Sequence, residues 1–234
     1  MAERYARGHP FPHIVIDDFL PETHARFLAD KFPGPESQVW LDYRKRPLHQ
    51  YGKLGPGGSS RFDHLDPEFR MALAEFNNSN FLAFLEALTG IPKLIPDPYF
   101  KGGGIHQIVA GGILDVHTDF NHYEQLDLYR RLNVLIYLTE DWQEGFGGEL
   151  ELWDRAPSEQ GKPVKLIPPV FNRFVVFGTN KTTFHGHPNP WRGPDGLCRR
   201  SIALYYYTAQ PELGVIYDKK TDFQGVAKHE VKAD

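Results

Sequence analysis

The chain of 234 residues holds a single cysteine, Cys198, and no Cys-x-x-Cys pair. An intramolecular disulfide framework is therefore excluded, as are zinc or iron–sulfur sites built on thiolates. Long apolar runs are missing too. Leu132 to Leu138, for example, spans seven positions and already contains Asn133, far short of the eighteen or so that a membrane-spanning helix needs. The opening Met-Ala-Glu-Arg-Tyr-Ala-Arg-Gly has no hydrophobic signal region, so the expectation is a soluble, cytoplasmic protein with no membrane partner. Neither sign of charge dominates: 26 basic residues against 30 acidic ones leave no basic stripe, and nucleic acid is not an expected partner. What the chain does have is histidine, 11 residues of it, on an ordinary globular background that is 41% hydrophobic.

Along the chain a helical first third gives way to a strand-rich remainder. Residues 11–19 read as a strand, and 22–32 as a helix with Pro21 near its start and Pro33 beyond its end. The stretch 44–60 is basic and then glycine-rich, which predicts a mobile loop or lid; no Gly-Lys-Ser/Thr follows, so its glycines do not cradle phosphate. Helical spacing returns over Pro67 to Leu88, broken at Asn77-Asn78-Ser79-Asn80. After Pro92 the period becomes alternating, with strands expected near 97–101, 105–110, 113–118, 131–139, 147–153, 163–167, 172–178, 182–185 and 199–208. Short strands at close spacing predict an antiparallel sandwich or barrel with the leading helices on one face. The expected organisation is one domain over 1–210, comprising N-terminal strand and helices (1–95) and a β core (96–210), followed by a loosely held tail over 211–234.

Two strands carry the first chemical signal. In 131–139, Leu132, Val134, Ile136 and Leu138 form an apolar face, while Arg131, Asn133 and Tyr137 share the other with Leu135; in 199–207, Arg199, Ser201, Ala203, Tyr205 and Tyr207 alternate with apolar partners. Closing these strands into a small barrel would aim Arg199, Ser201, Asn133 and Tyr137 into one cavity with a fixed cation at its base. Among the histidines, His117 stands out because Asp119 follows two positions later, on the same side of an extended chain. A third ligand is available in Thr-Phe-His185-Gly-His187. Two histidines and one carboxylate leave three positions open on an octahedral metal, a set that suits Fe(II). Catalytic zinc usually needs one open position and a neighbouring base. The downstream Arg199-x-Ser201 favours a dicarboxylate cosubstrate, which guanidinium grips bidentately.

His117-Thr-Asp119, the distal His185 and Arg199-Arg-Ser201 resemble the iron- and 2-oxoglutarate-binding motifs of the Fe(II)/2-oxoglutarate-dependent dioxygenases. Asn133-Val-Leu-Ile-Tyr137-Leu, Trp142 and Gly147-Gly148-Glu-Leu150-Glu-Leu152 are similar to the prolyl-4-hydroxylase-like branch, and the resemblance runs from about Gln107 to Thr208. It implies a double-stranded β-helix, a jelly-roll or cupin-like barrel, with N-terminal helices on one sheet. It implies His117, Asp119 and His185 as iron ligands, with His185 preferred to His187 because Phe184 precedes it. Arg199 would hold the distal carboxylate of 2-oxoglutarate, helped by Ser201 and Tyr137, with Asn133 beside them and Leu150 in the apolar wall. Where relatives often carry a tyrosine about ten positions before the first ligand, this chain has Gln107. The implied reaction consumes dioxygen and 2-oxoglutarate, releases succinate and carbon dioxide, and uses ascorbate as reductant; an intact Asp119 points to hydroxylation rather than halogenation.

The competing readings are a zinc or manganese hydrolase on the same ligands and a non-catalytic cupin-like binding barrel. Substrate contacts are expected from Asn121, Arg131 and Trp191 at the barrel mouth and from Arg61, together with Arg44, Lys45 and Arg46 in the 44–60 stretch. An amino-acid-like small molecule or a peptidyl residue is the expected substrate.

Overall fold

Two ten-residue antiparallel strands run through the centre of the molecule, and their alternation sets which side chains meet the helices and which meet the site. The computed structural model describes residues 1–42 and 49–225. In chain order the elements are α1 (Ala2–Ala6), β1 (His13–Ile16), α2 (Glu22–Asp30), β2 (Leu41–Asp42), β3 (Lys53–Gly55), α3 (Pro67–Glu75), α4 (Ser79–Thr89) and β4 (Ile95–Pro96). There follow β5 (Gly104–Ile108), β6 (Leu114–Thr118), β7 (His122–Tyr123), β8 (Leu128–Tyr137), β9 (Leu150–Trp153) and β10 (Pro163–Ile167). The chain closes through β11 (Phe174–Gly178), β12 (His185–His187), β13 (Arg199–Thr208) and β14 (Asp222–Phe223).

The major sheet runs β1-β11-β8-β13-β5-β3-β2, with β4 on β13 and β7 on β8; the minor sheet runs β10-β9-β12-β6-β14. On the major sheet's outer face Leu132, Val134 and Ile136 of β8 join Ile202, Leu204 and Tyr206 of β13 and Phe174 and Val176 of β11 in the main core. Leu28 of α2, Phe69 and Leu73 of α3, and Leu85 and Leu88 of α4 complete it. Cutting the fully buried Phe69 back to alanine would cost about 3–5 kcal/mol. Between the sheets a smaller cluster of Tyr137, Leu150, Leu152, Ile167, Val175 and Phe177 seals one end, leaving the other end open as a cavity. The result is the expected double-stranded β-helix, mainly β, with flanking helices on one sheet.

The helix signals act as chain chemistry dictates. Asp66 caps α3 by accepting from the backbone N–H groups of Glu68 and Phe69, with Pro67 in the first turn, and Asn78 caps α4 through the N–H of Phe81. Gly90 ends α4 in the left-handed region at φ 76°.

Four expectations change. Residues 97–101 form a turn rather than a strand, because the Asp97 carboxylate accepts from the N–H groups of Tyr99 and Lys101. The strand expected at 182–185 is instead β12, shifted to His185–His187. Within the 44–60 stretch, 43–48 lie outside the described residues, while 53–55 is a strand of the major sheet and a 3-10 turn starts at Ser59. The stretch read as a loose tail sends β14 into the minor sheet, Asp222 opposite Thr118 and Phe223 opposite His117.

Candidate active site

His117 on β6 and His185 on β12 are direct cross-strand partners in the minor sheet, so their rings project into the cavity side by side with centroids 4.5 Å apart. Asp119 follows just past the end of β6. Its Oδ1 lies 3.6 Å from His117 Nε2 and its Oδ2 lies 3.3 Å from His185 Nε2. Each imidazole is fixed from behind: His117 Nδ1 donates to the Asp115 carbonyl at 2.8 Å and His185 Nδ1 to the Thr183 carbonyl at 2.9 Å. That leaves both Nε2 lone pairs facing the carboxylate. Burial and the neighbouring His185 hold the His117 ring below its ordinary pKa, so it is neutral. Burial alone would raise the Asp119 carboxyl, yet the Arg130 charge and the hydrogen bonds around it hold it well below the usual range. Lone pairs at this spacing repel one another unless a cation lies among them, and one ligand atom from each of the three residues falls within 4.8 Å of the others. The donor set therefore fits a divalent ion with N,N,O ligands.

Arg130 organises the carboxylate. Fully buried, it donates to Asp119 Oδ2 at 3.1 Å and to Asn133 Oδ1, while Asn133 Nδ2 donates to the same Oδ2 at 2.6 Å. The guanidinium lies 3.4 Å from the centre of the Tyr205 ring and 4.9 Å from that of Phe120. Strand parity in the sequence puts Arg131 on the face of Asn133 and Tyr137, and the structure gives that place to Arg130 instead. Across β13, Tyr206 faces Leu132 but Tyr207 faces Arg130, so Arg131 is the extra residue of a β-bulge. A bulge of one residue exchanges the two faces beyond it. Arg131 is turned to the surface, where it pairs with Glu212 at 2.9 Å.

Arg199 stands on the facing wall, 5% exposed. It donates from Nε to the Gly148 carbonyl at 2.7 Å and from Nη2 to the Tyr137 hydroxyl at 3.2 Å, two of five N–H groups. Gly148 has to be glycine here. Its φ is +72°, and a Cβ would sit 2.9 Å from Arg199 Cδ and 3.0 Å from Trp191 Cε3. Among the described residues no acid pairs with Arg199, and Ser201 opens beside it opposite Tyr137. Asn133, Leu150, Leu135 and Ile108 contribute to the same wall. The cavity measures about 260 Å³, slightly below the roughly 300–1,000 Å³ of ordinary ligand pockets.

His187 also lines the cavity, but a register shift after His185 sets it opposite Leu114, apart from the trio, and its Nδ1 has no partner. The four residues expected to touch substrate have other work and do not line the cavity. Asn121 clips the C-terminal segment, donating to the Ile216 carbonyl and accepting from the Asp218 N–H. Arg131 pairs with Glu212 as above. Trp191 is buried, with Nε1 donating to the Leu197 carbonyl at 2.9 Å. Arg61 donates to the backbone carbonyls of Gln38 and Val39. Arg44, Lys45 and Arg46 lie outside the described residues. Gln107 points away from the cavity, accepting from Arg200 Nε at 3.3 Å, and the inward residue of β5 at this level is His106. His49, which has no acidic neighbour in sequence, bonds Asp115 at 2.9 Å and stacks on Phe223. Only the bulge hides Arg130 from a parity reading; Lys53 was hidden by the glycine-rich run that disguises β3, and His106 has no neighbour in sequence that marks it.

Comparison with known proteins places this geometry. The family model for the 2OG-Fe(II) oxygenase superfamily matches residues 103–207. That stretch of the chain is similar to the superfamily. Among curated proteins, the chain is 24% identical over 185 residues to the mouse protein "Prolyl 3-hydroxylase OGFOD1", covering 75% of the chain but 29% of the relative. It thus spans under a third of that relative's length. Among solved structures, a prolyl-4-hydroxylase from Pseudomonas putida superposes with a TM-score of 0.55 at 17% identity, over 88% of this chain and 96% of that one. A prolyl hydroxylase from Trichoplax adhaerens, in complex with a hypoxia inducible factor peptide, gives a TM-score of 0.55 at 14% identity, covering 88% and 86%. HygX from Streptomyces hygroscopicus, with nickel, 2-oxoglutarate and hygromycin B, gives 0.51 at 10% identity, covering 84% and 82%. These likenesses show the fold of the prolyl-hydroxylase-like oxygenases.

Proposed function

We propose that the chain is an Fe(II)- and 2-oxoglutarate-dependent hydroxylase of an unactivated C–H bond in an amino-acid-like small molecule or a peptidyl residue. The observation that carries this reading is the trio His117, Asp119 and His185 facing an acid-free Arg199 across one cavity. His117 and His185 would hold iron through Nε2 and Asp119 through a carboxylate oxygen. When bound, iron with 2-oxoglutarate and dioxygen supplies an oxidant for C–H cleavage, at the expense of oxidative decarboxylation to succinate and carbon dioxide. The rest is the protein's part. Arg199, with the Tyr137 hydroxyl and Ser201, grips the distal carboxylate of the cosubstrate by charge-assisted hydrogen bonds. Arg130 and Asn133 orient Asp119, and Leu135, Leu150 and Phe177 keep that end of the cavity apolar. A hydrolase reading lacks its base, because Asp119 is the sole carboxylate among the described residues that line the cavity.

The test is succinate release from 2-oxoglutarate by protein reconstituted with Fe(II) and ascorbate under air. Succinate formed in an iron-dependent manner is the expected result. Stoichiometric zinc in protein purified without chelators, together with no succinate under any condition, would sink the oxygenase reading. A binding barrel would keep its ligand affinity in His117→Ala.

A further inference from the structure

The cavity wall carries a second cation that the oxygenase chemistry leaves unused. Lys53 on β3 is half-buried, and it lines the cavity together with Gln50, His106 and Arg199. Among the described residues its ammonium makes no hydrogen bond or ion pair. The other cations here are engaged: Arg130 is paired with Asp119, and Arg199 is tied to Gly148 and Tyr137. Sheet register separates the two anion seats. Lys53 pairs with Ile108 and Ile108 with Arg199, so the three share one row and one face, and the backbones of the outer two are about 10 Å apart at two strand spacings. Ile108 stands between them in the wall.

The neighbourhood of Lys53 also offers an acceptor. His106 donates from Nε2 to the Gly102 carbonyl at 3.1 Å, which leaves its other ring nitrogen with a free lone pair. Burial, aided by the nearby Lys53 charge, holds that ring neutral. Gly55 has no side chain to intrude, and a Cβ there would press on His106 Cδ2 at 3.2 Å. An ammonium kept partly out of water with no counter-ion among the described residues is disfavoured, and an incoming anion relieves that. About 260 Å³ of cavity has room for a small acid beside the cosubstrate.

Resting on the hydroxylase reading above, we propose that Lys53 anchors the substrate through a carboxylate and that the substrate is a free amino-acid-type carboxylic acid. Its carboxylate sits on Lys53, an N–H or O–H of it donates to His106, and its reacting carbon is turned toward His117, Asp119 and His185.

The experiment uses Fe(II)-loaded enzyme with 2-oxoglutarate and ascorbate, and a panel of the protein amino acids presented as free acids and as their carboxamides, with succinate as readout. At least one free acid is expected to stimulate succinate release about tenfold more than its carboxamide, the loss of one charge-assisted contact. Lys53→Gln should raise the KM for that acid by about tenfold or more, and Lys53→Arg should recover most of the loss. Lys53→Met should raise the melting temperature of the iron-loaded protein without substrate. The inference is overturned if acids and carboxamides act alike or neither stimulates, if Lys53→Gln raises the KM for 2-oxoglutarate instead, or if Lys53→Met lowers the melting temperature and so marks a structural lysine. Failure of the underlying reading looks different: wild-type protein would form no succinate with iron at all, with or without the panel.

Discussion

The minor sheet delivers His117 and His185 from two short strands, the five residues of β6 and the three of β12, with Asp119 beyond the strand end. The major sheet delivers Arg130, Asn133, Tyr137, Arg199 and Ser201 from two ten-residue strands, β8 and β13, that are locked between the helices and the cavity. The short strands make up for their length with backbone ties. His117 and His185 are each bonded through Nδ1 to a carbonyl two residues back along their own chain, so the metal-facing geometry is set locally. The long strands set geometry by register, and one bulge in β8 moves a guanidinium from surface to site. The polar bridge between the two is Asp119, held from the major sheet by Arg130 and Asn133. On the proposed reading, metal binding is a property of the minor sheet that depends on the major one, and cosubstrate binding belongs to the major sheet.

That division is broken most severely from the minor sheet. His117→Ala, Asp119→Ala or His185→Ala should each abolish iron binding and reduce succinate formation to background, measured by metal analysis and turnover. His187→Ala should keep its iron, since the bulge after His185 sets His187 apart; iron lost there and kept in His185→Ala would reassign the distal ligand. Next comes the major sheet. Arg199→Met should raise the KM for 2-oxoglutarate by roughly 10- to 150-fold, the equivalent of about 1.5–3 kcal/mol for a hydrogen bond to a charged group, and the protein should still bind metal. Titration of both ligands into this variant separates the two effects, and a parallel loss of metal would erase the distinction between the sheets.

The bridge tests how far one sheet governs the other. Arg130→Met should weaken metal binding by about 10–100-fold, as losses behind a ligating carboxylate do, and should lower stability by about 3–5 kcal/mol because one half of a buried pair is left behind. Chemical denaturation of the metal-free and metal-loaded variant reads both. Arg130 also marks the limit of what was legible beforehand. The strands β8 and β13, their apolar outer faces, the trio and Arg199 were visible because alternation and ligand spacing are local properties of the chain. A bulge is a property of the pairing, so Arg131 took the place of Arg130 in the reading. Lys53 was lost in a run of glycines, where a three-residue strand has too few positions to show a period. Asn121 looked like a mouth residue, but its partners are 95 and 97 positions away in sequence, beyond any local pattern.

The smallest expected effect is the dependence on pH of the lysine wall. Burial pushes Lys53 from the ordinary lysine range down to about 8, with Arg199 and Arg130 adding to the fall and Asp119 opposing it, while His106 and His187 face the same space as neutral rings. Below pH 8 the free enzyme carries the charge, and above it the charge is lost. The kcat/KM for an acid anchored on Lys53 should therefore fall by up to about tenfold per pH unit above 8, whereas the value for its carboxamide should not follow that slope. Stability runs the other way. An unfolded lysine titrates near 10.4, so between about pH 8 and 10.4 the unfolded chain holds more protons than the folded one, and wild-type stability rises with pH across that window. Lys53→Met has no such group to titrate, and its advantage in melting temperature should be full at pH 7 and shrink toward pH 10. An advantage that stays constant over that range would mean that the substitution acts by packing and that the charge on the major sheet's wall is not held at a cost.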